Sequence, residues 1–491
     1  MSSSRLRLRT ITLRTSAGRF LRRAVRAVKI ENAVLPFSTR HFRGMRCTAA
    51  PTGVPVGFHR VNRKSRGACV RASVSTPGDV ESLGSWITDN GGDVSSTKVG
   101  FGNRGRGLFA SRDINKGEVV LKVPLSSVLS DGVGNAPYPD APWSVVLAAE
   151  VLRQRHQGDD AKFKCYVNSL PKETIGFASA QLATSNSNLL PDLLSDTGAL
   201  DELERYTFLL QGSAKAVAEK FTKDDWRWAM SLTHSRTFRA EEPVKNNNNK
   251  TTVRRLMVPY VDLLNHDSRD DQVSCKWEVV WGNGSDIRDS YFEVTTTQPV
   301  KVNEELLTSY GECDDRKYFL YYGFLPVPNP HNAVSLFRNL EDAASWYETL
   351  CGDGEDTKQA WKLARRKAIE KVLEETKDER VSDSSETENE SSSSSGWTFA
   401  DAETESAALL NLGVDAVVDD RLFRLFEILS GDLDIAIAAV RVKAKELLRE
   451  LDQAEVRIDQ LEIETNSDDT FAVELASEYR DRRRALLEDI A

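Results

Sequence analysis

Strand-forming sequence comes in two blocks separated by a long helical stretch, and that segregation limits the fold more than any other feature of the chain. In the first block, Gly107-Leu108-Phe109-Ala110, a turn at Asn115-Lys116-Gly117 and the run Glu118–Val123 read as short, tightly joined strands. Residues 141–240 then change character, with apolar residues at helical spacing in stretches such as Trp143–Arg153 and Phe221–Phe238. Strand signals return at Leu256–Tyr260, Cys275–Trp281, Tyr291–Thr295 and Glu305–Ser309. From residue 336 the pattern is helical again, and Arg421–Leu429, Ile435–Leu461 and Phe471–Ile490 carry apolar stripes with alternating charge. Runs of strands followed by runs of helices predict an α+β fold. The expected order is a β core over residues 80–335 with a helical insert at about 135–250, then an all-helical domain over 336–491. A chain of 491 residues, 40% of them apolar, is long enough for two such cores. The acidic, Ser-rich tract 376–396 has too few apolar residues to join either and is expected to be a disordered loop.

Charge divides the chain differently. Residues 1–78 hold 17 Arg or Lys against the single acid Glu31, whereas the remainder holds 48 basic and 73 acidic residues. The basic segment is Arg- and Ser-rich with amphipathic patches such as Arg19–Arg26, the composition of an organelle transit peptide, expected over residues 1–72. Val70-Arg71-Ala72-Ser73 resembles a plastid processing site and points to the chloroplast stroma, while the earlier Arg-rich helix would also suit a mitochondrion. A basic arm for nucleic acid or anionic lipid is the other reading of this segment. The acidic body excludes nucleic acid as its partner, and no apolar run is long enough to span a membrane. Six cysteines without a Cys-x-x-Cys pair exclude both a zinc centre and a disulfide framework, so no metal is expected.

Gly100-Phe101-Gly102-Asn103-Arg104-Gly105 satisfies the dinucleotide-binding expression, but a hairpin comes after it where that fold needs a helix. The glycines permit either an ordinary turn or one whose backbone approaches a flat ligand. The neighbouring residues decide between the two. Arg104-Gly105-Arg106-Gly107-Leu108-Phe109-Ala110 with Gly117-Glu118 resembles the amino-terminal motif of SET-domain protein methyltransferases. Asp262-Leu263-Leu264-Asn265-His266, then Ser309-Tyr310-Gly311 and Tyr322-Gly323-Phe324, resembles their paired carboxy-terminal motifs. With the helical insert, the helical carboxy-terminal domain and no Cys-rich segment after the SET half, the layout is similar to the plastid Rubisco large-subunit lysine methyltransferase class. That class also includes an actin-histidine methyltransferase.

The resemblance implies a SET-domain β-fold, S-adenosyl-L-methionine as cofactor, and a protein substrate bearing a target lysine that docks on the helical domain. Methyl transfer to nitrogen is an in-line displacement that needs orientation and exclusion of water, with no metal and no covalent nucleophile. By resemblance Tyr310 is the catalytic residue, its hydroxyl beside the transferring methyl. Arg104, Gly105, Arg106, Arg236, Asn265 and His266 bind the cofactor, Arg236 through its carboxylate and Asn265-His266 at the adenine edge and amino-acid portion. Asp262 contacts substrate or orients its strand, and Tyr322, Phe238 and Trp277 line the substrate site. Phe238 closes Ser235-Arg236-Thr237-Phe238, where the actin-histidine enzyme has an amide, and an aromatic wall there suits a methylammonium product. Lysine is therefore the expected acceptor.

Three positions depart from the Rubisco class. Ala240 replaces a second arginine, Trp277 a tyrosine, and the acidic pair Asp314-Asp315 a Ser-Asn in a loop one residue shorter. The altered loop favours a catalytically silent, protein-binding SET-like module as the alternative; a protein-histidine enzyme and a nuclear histone enzyme are the other two.

Overall fold

The computed structural model describes residues 77–491 apart from 133–135, 179–193, 218–219, 245–250, 283–288, 352–357, 384–408 and 460–466, with two short pieces upstream at 29–30 and 33–34. Apart from those pieces the stretch read as a transit peptide, residues 1–72, lies outside the described residues, as does 384–396 of the Ser-rich tract.

After α1 (Pro77–Asp89) the chain enters a hairpin of β1 (Thr97–Gly102) and β2 (Gly105–Ala110), which pair antiparallel from Thr97↔Ala110 to Gly102↔Gly105. Gly105 takes a φ of 86°, which closes the turn and which a side chain would resist. β3 (Val119–Pro124) and β4 (Leu129–Ser130) complete the first block. The insert comes next as α2 (Trp143–Gln157), α3 (Lys164–Ser169), α4 (Thr197–Val217) and α5 (Lys223–Arg236). Thr222 caps α5 by accepting from the Asp225 amide at 3.1 Å.

The helical insert ends sooner than its expected limit near 250. β-branched Thr237 is already extended, and β5 (Thr237–Pro243) pairs with β6 (Thr251–Met257) from Thr237↔Met257 to Pro243↔Thr251. Strand β5 lacks the period-two apolar pattern that marks a strand in sequence, since its pairing rather than its burial holds it. β6 also pairs with β4.

Next come β7 (Asn265–His266), β8 (Cys275–Val280), β9 (Tyr291–Thr296) and β10 (Leu307–Thr308). β8, β9 and β3 form an antiparallel sheet, while β7 and β10 pair in parallel, Leu307 against Asn265 and Thr308 against His266. That short parallel contact brings the Asn-His string beside Ser309-Tyr310.

Beyond it, β11 (Ala333–Phe337) leads to α6 (Leu340–Cys351) and α7 (Lys358–Asp383), and β12 (Leu410–Gly413) returns to pair with β11. The carboxy-terminal bundle thus carries a two-stranded ribbon at its base. Residues 376–383, expected to open the disordered loop, form the end of α7, because Lys377–Arg380 are mostly straight-chain helix formers and the serine run begins only later. α8 (Asp420–Ser430), α9 (Leu433–Asp459) and α10 (Ser467–Glu488) finish the bundle.

Two apolar cores result. One gathers Leu83, Leu108, Val123, Leu147, Trp226, Met257, Phe292 and Phe319; the other gathers Phe337, Tyr347, Leu412, Phe426, Val440 and Leu451. α10 belongs to both. Its Leu475, Ala476 and Tyr479 pack in the first core, and Leu486, Leu487 and Ile490, at and just beyond its end, pack in the second.

Candidate active site

Tyr310 comes directly after β10 and is held at two points. Its backbone N–H donates to His266 Nδ1 at 3.1 Å, and its hydroxyl donates to the Leu264 carbonyl at 2.7 Å. Its ring centroid lies 5.2 Å from that of Tyr322 and 5.1 Å from that of His266. Burial pushes the Tyr310 phenol up to about 12, so it stays protonated and acts near neutrality as a hydrogen-bonding group and not as a base.

His266, expected to bind the cofactor, is held through its ring by partners within the protein. Because Nδ1 accepts from the Tyr310 amide, the proton of the neutral ring is assigned to Nε2. Nε2 lies 2.7 Å from Ser268 Oγ and 2.9 Å from the Tyr318 hydroxyl. Both ring nitrogens are thus engaged within the protein, and the imidazole positions Tyr310. Tyr318 in turn donates to the Gly311 carbonyl at 3.2 Å. Burial lowers the His266 pKa to about 4. A histidine depressed in the folded state contributes stability that is complete above its unfolded pKa and lost as pH falls through the folded one. The window here runs from 6.5 down to about 4, and the contribution at neutral pH is on the order of 3 kcal/mol. Urea titrations of wild type and His266→Gln should therefore converge as pH falls from 6.5 toward 4. Parallel curves would show that His266 is not buried as a neutral ring.

The Asp262 side chain is 2% exposed, accepts from the Tyr166 hydroxyl at 3.0 Å and pairs with Arg236 at 3.2 Å, so it orients the arginine. Arg236 additionally donates to the Asp262 carbonyl at 2.9 Å. Arg106 feels the charges of the same pair: burial and the Arg236 guanidinium together lower its pKa to about 10, against the pull of Asp262. Arg104 turns away to the hairpin rim, where it pairs with Asp267 and, at 3.3 Å, with Glu305. There it anchors the hairpin. The Asn265 amide donates to the Arg106 carbonyl at 3.1 Å and to Glu305 Oε1 at 2.8 Å, which leaves its carbonyl oxygen as the part that could meet the cofactor.

The glycines serve close approach within the protein. A Cβ at Gly100 would come 2.8 Å from the Phe109 ring, and one at Gly107 would come 2.6 Å from both the Asn265 amide and Glu305. The flat group lying over Gly100 is thus Phe109 itself. Gly107 lets the hairpin meet the Asn-His strand.

The expected aromatic wall divides in two. Tyr322 sits with Tyr310, Tyr318 and Phe324. Phe238 and Trp277 form a second cluster with Phe292, with centroids 5.1–5.4 Å apart, under the β8–β9 sheet. Tyr318–Tyr322 is a π-helical turn, which aims Tyr318 and Tyr322 at Tyr310 while Phe319 faces the core. Tyr318, Tyr166 and Glu305 are site residues that sequence reading missed. Only Tyr318 had a signal, as the first residue of the aromatic run ending at Tyr322.

The residues present fit the cofactor that the motifs imply. The Arg236 Nε is buried without a hydrogen-bond partner, and the Arg106 pKa is lowered by burial and by the Arg236 guanidinium, so a ligand carboxylate would suit both groups. Among the described residues, no group of three or more His, Cys, Asp or Glu is placed to hold a metal ion, and no helix is long and apolar enough to cross a membrane.

Residues 105–311 match the family model of the SET domain. The chain is 27% identical over 289 residues to the chloroplastic ribulose-1,5 bisphosphate carboxylase/oxygenase large subunit N-methyltransferase of Nicotiana tabacum, covering 55% of this chain and 56% of that protein. It is 25% identical over 283 residues to the chloroplastic fructose-bisphosphate aldolase-lysine N-methyltransferase of Arabidopsis thaliana, covering 54% and 56%. With the actin-histidine N-methyltransferase of Mus musculus it shares 22% over 297 residues, covering 56% and 47%. The match spans about half the length of these relatives. Among solved structures, the SET domain of LSMT bound to lysine and AdoHcy superposes with a TM-score of 0.53 at 17% identity, over 85% of this chain and 90% of that one. The fold of this chain is a SET-domain core followed by a helical carboxy-terminal bundle, and its relatives by sequence include chloroplast protein-lysine and animal actin-histidine methyltransferases.

Proposed function

We propose that this protein transfers a methyl group from S-adenosyl-L-methionine to the side-chain amine of a lysine in a plastid protein. The observation that carries the reading is Tyr310: a neutral phenol pinned through both its backbone amide and its hydroxyl, with Tyr322 and Tyr318 beside it. The cofactor supplies an electrophilic methyl on a sulfonium. Arg106 and Arg236 hold a carboxylate at one end of the site. Tyr310 donates its proton to the Leu264 carbonyl, so its oxygen lone pairs are left to orient the methyl and the incoming amine. The tyrosine rings exclude water and disfavour the ammonium form, which eases loss of the lysine proton. A phenol raised to about 12 does not take that proton, which leaves to solvent before attack.

Two considerations support lysine as acceptor: Phe238 comes soon after Arg236 in the chain, and one relative, matching 54% of the chain, is named for lysine methylation. The plastid rests on the basic amino-terminal segment. Mass spectrometry of stromal proteins from cells with and without this protein should find an N-methyllysine that disappears with it. On a peptide around that lysine, turnover at subsaturating peptide should climb from neutral pH toward the lysine pKa, because only the neutral amine attacks. A methylhistidine instead, with turnover levelling near the histidine pKa, would overturn the acceptor and leave the cofactor chemistry standing.

A further inference from the structure

The acidic pair Asp314-Asp315, which replaces a neutral pair just after Tyr310, is built into the structure. Asp314 accepts from the Lys317 amide at 3.0 Å and pairs with Arg316 at 3.0 Å. Asp315, its side chain 2% exposed, accepts from Asn329 at 2.8 Å and from Arg482 of α10 at 3.2 Å. Arg482 also donates to the Pro326 carbonyl at 2.7 Å and the Leu325 carbonyl at 3.2 Å. It thus ties both ends of the segment that carries Tyr318, Tyr322 and Phe324. One turn earlier on α10, the Tyr479 ring lies flat on Phe319, with centroids 4.8 Å apart and planes 6° from parallel. Phe319 is the neighbour of Tyr318, whose hydroxyl reaches His266 and Gly311.

From this geometry we infer that α10 is a positioning element of the methyl-transfer site. Arg482 and Tyr479 set the register of residues 310–324 from behind, so the helical domain does more than offer a surface for substrate. The inference rests on reading Tyr310 as the reacting centre. Neither α10 residue touches substrate; each acts through the segment that does. A buried carboxylate held by one guanidinium nitrogen and an amide is fixed in place, and misplacing a reacting group by an ångström is enough to slow a displacement.

The test compares Arg482→Met, Arg482→Lys and Arg484→Met in the full chain. Arg484 is a control on the same helix that bridges Asp452 and Glu455 of α9. The expected result for Arg482→Met is a turnover loss on the order of tenfold or more with cofactor affinity unchanged and faster amide exchange confined to residues 310–324. Arg482→Lys recovers part of both, and Arg484→Met behaves as wild type. Unchanged turnover and exchange in Arg482→Met would overturn the inference, as would equal losses in Arg482→Met and Arg484→Met. Should Arg482→Met not fold, Arg482→Lys decides, and wild-type exchange with wild-type turnover there counts against the inference. If the wild type methylates no lysine at all, the functional reading fails, yet the exchange measurement still determines whether α10 orders residues 310–324.

Discussion

Tyr310→Phe is expected to lower single-turnover methyl transfer by on the order of a hundredfold while leaving cofactor affinity nearly unchanged. On the proposed reading the hydroxyl acts on the reacting atoms, whereas Arg106 and Arg236 would hold the cofactor carboxylate. The substitution also leaves the Leu264 carbonyl without its donor, a loss of about 1 kcal/mol in stability, too little to explain the fall in rate. Calorimetric binding and rapid-quench transfer separate the two effects. Parallel losses in affinity and rate would assign Tyr310 a structural role.

The second large effect concerns stability. Asp196 and Arg483 are 4% and 3% exposed and pair at 3.3 Å, and Tyr479 donates to the same carboxylate at 2.5 Å. Burial alone would raise the Asp196 pKa, but Arg483 and Arg316 outweigh it and hold the carboxyl below its usual range. Arg483 also donates to the carbonyls of Leu194 and Ser195. Arg483→Met should therefore destabilise the protein by about 3–5 kcal/mol, because it strands a buried carboxylate, and adding Asp196→Asn should recover part of that. Urea unfolding of wild type, single and double variants reads the difference. A single variant within about 1 kcal/mol of wild type would mean that water reaches the pair.

Much of the site is legible in the sequence because its key strings are local. Asn265-His266 and Ser309-Tyr310-Gly311 each lie within one short strand and its exit, and their meeting needs only the parallel contact of β7 with β10. The bonding partners of those side chains are a different matter. The His266 ring serves Tyr310 because two chain segments converge on its nitrogens, and no spacing encodes that. Tyr166 reaches Asp262 across 96 positions, and Asn265 reaches Glu305 across 40, so both escape any local pattern. The same holds for β5 and for the β11–β12 ribbon: each is a strand because a distant partner supplies its hydrogen bonds. The acidic pair after Tyr310 reads as damage to a motif only while its partner Arg482, far along the chain, is left out of account.

The stacking of Tyr479 on Phe319 has a consequence for how the protein is made. Residue 479 leaves the ribosome roughly ten to thirty seconds after the tyrosine segment at ordinary elongation rates. Throughout that interval Phe319, fully buried in the finished protein and stacked on Phe177 as well, lacks one of the two rings that stack on it. The nascent first core is thus open at the back of its own active site. Methyl-transfer competence should therefore arise late in synthesis, and a chaperone that shields that face in the meantime would act on a real vulnerability.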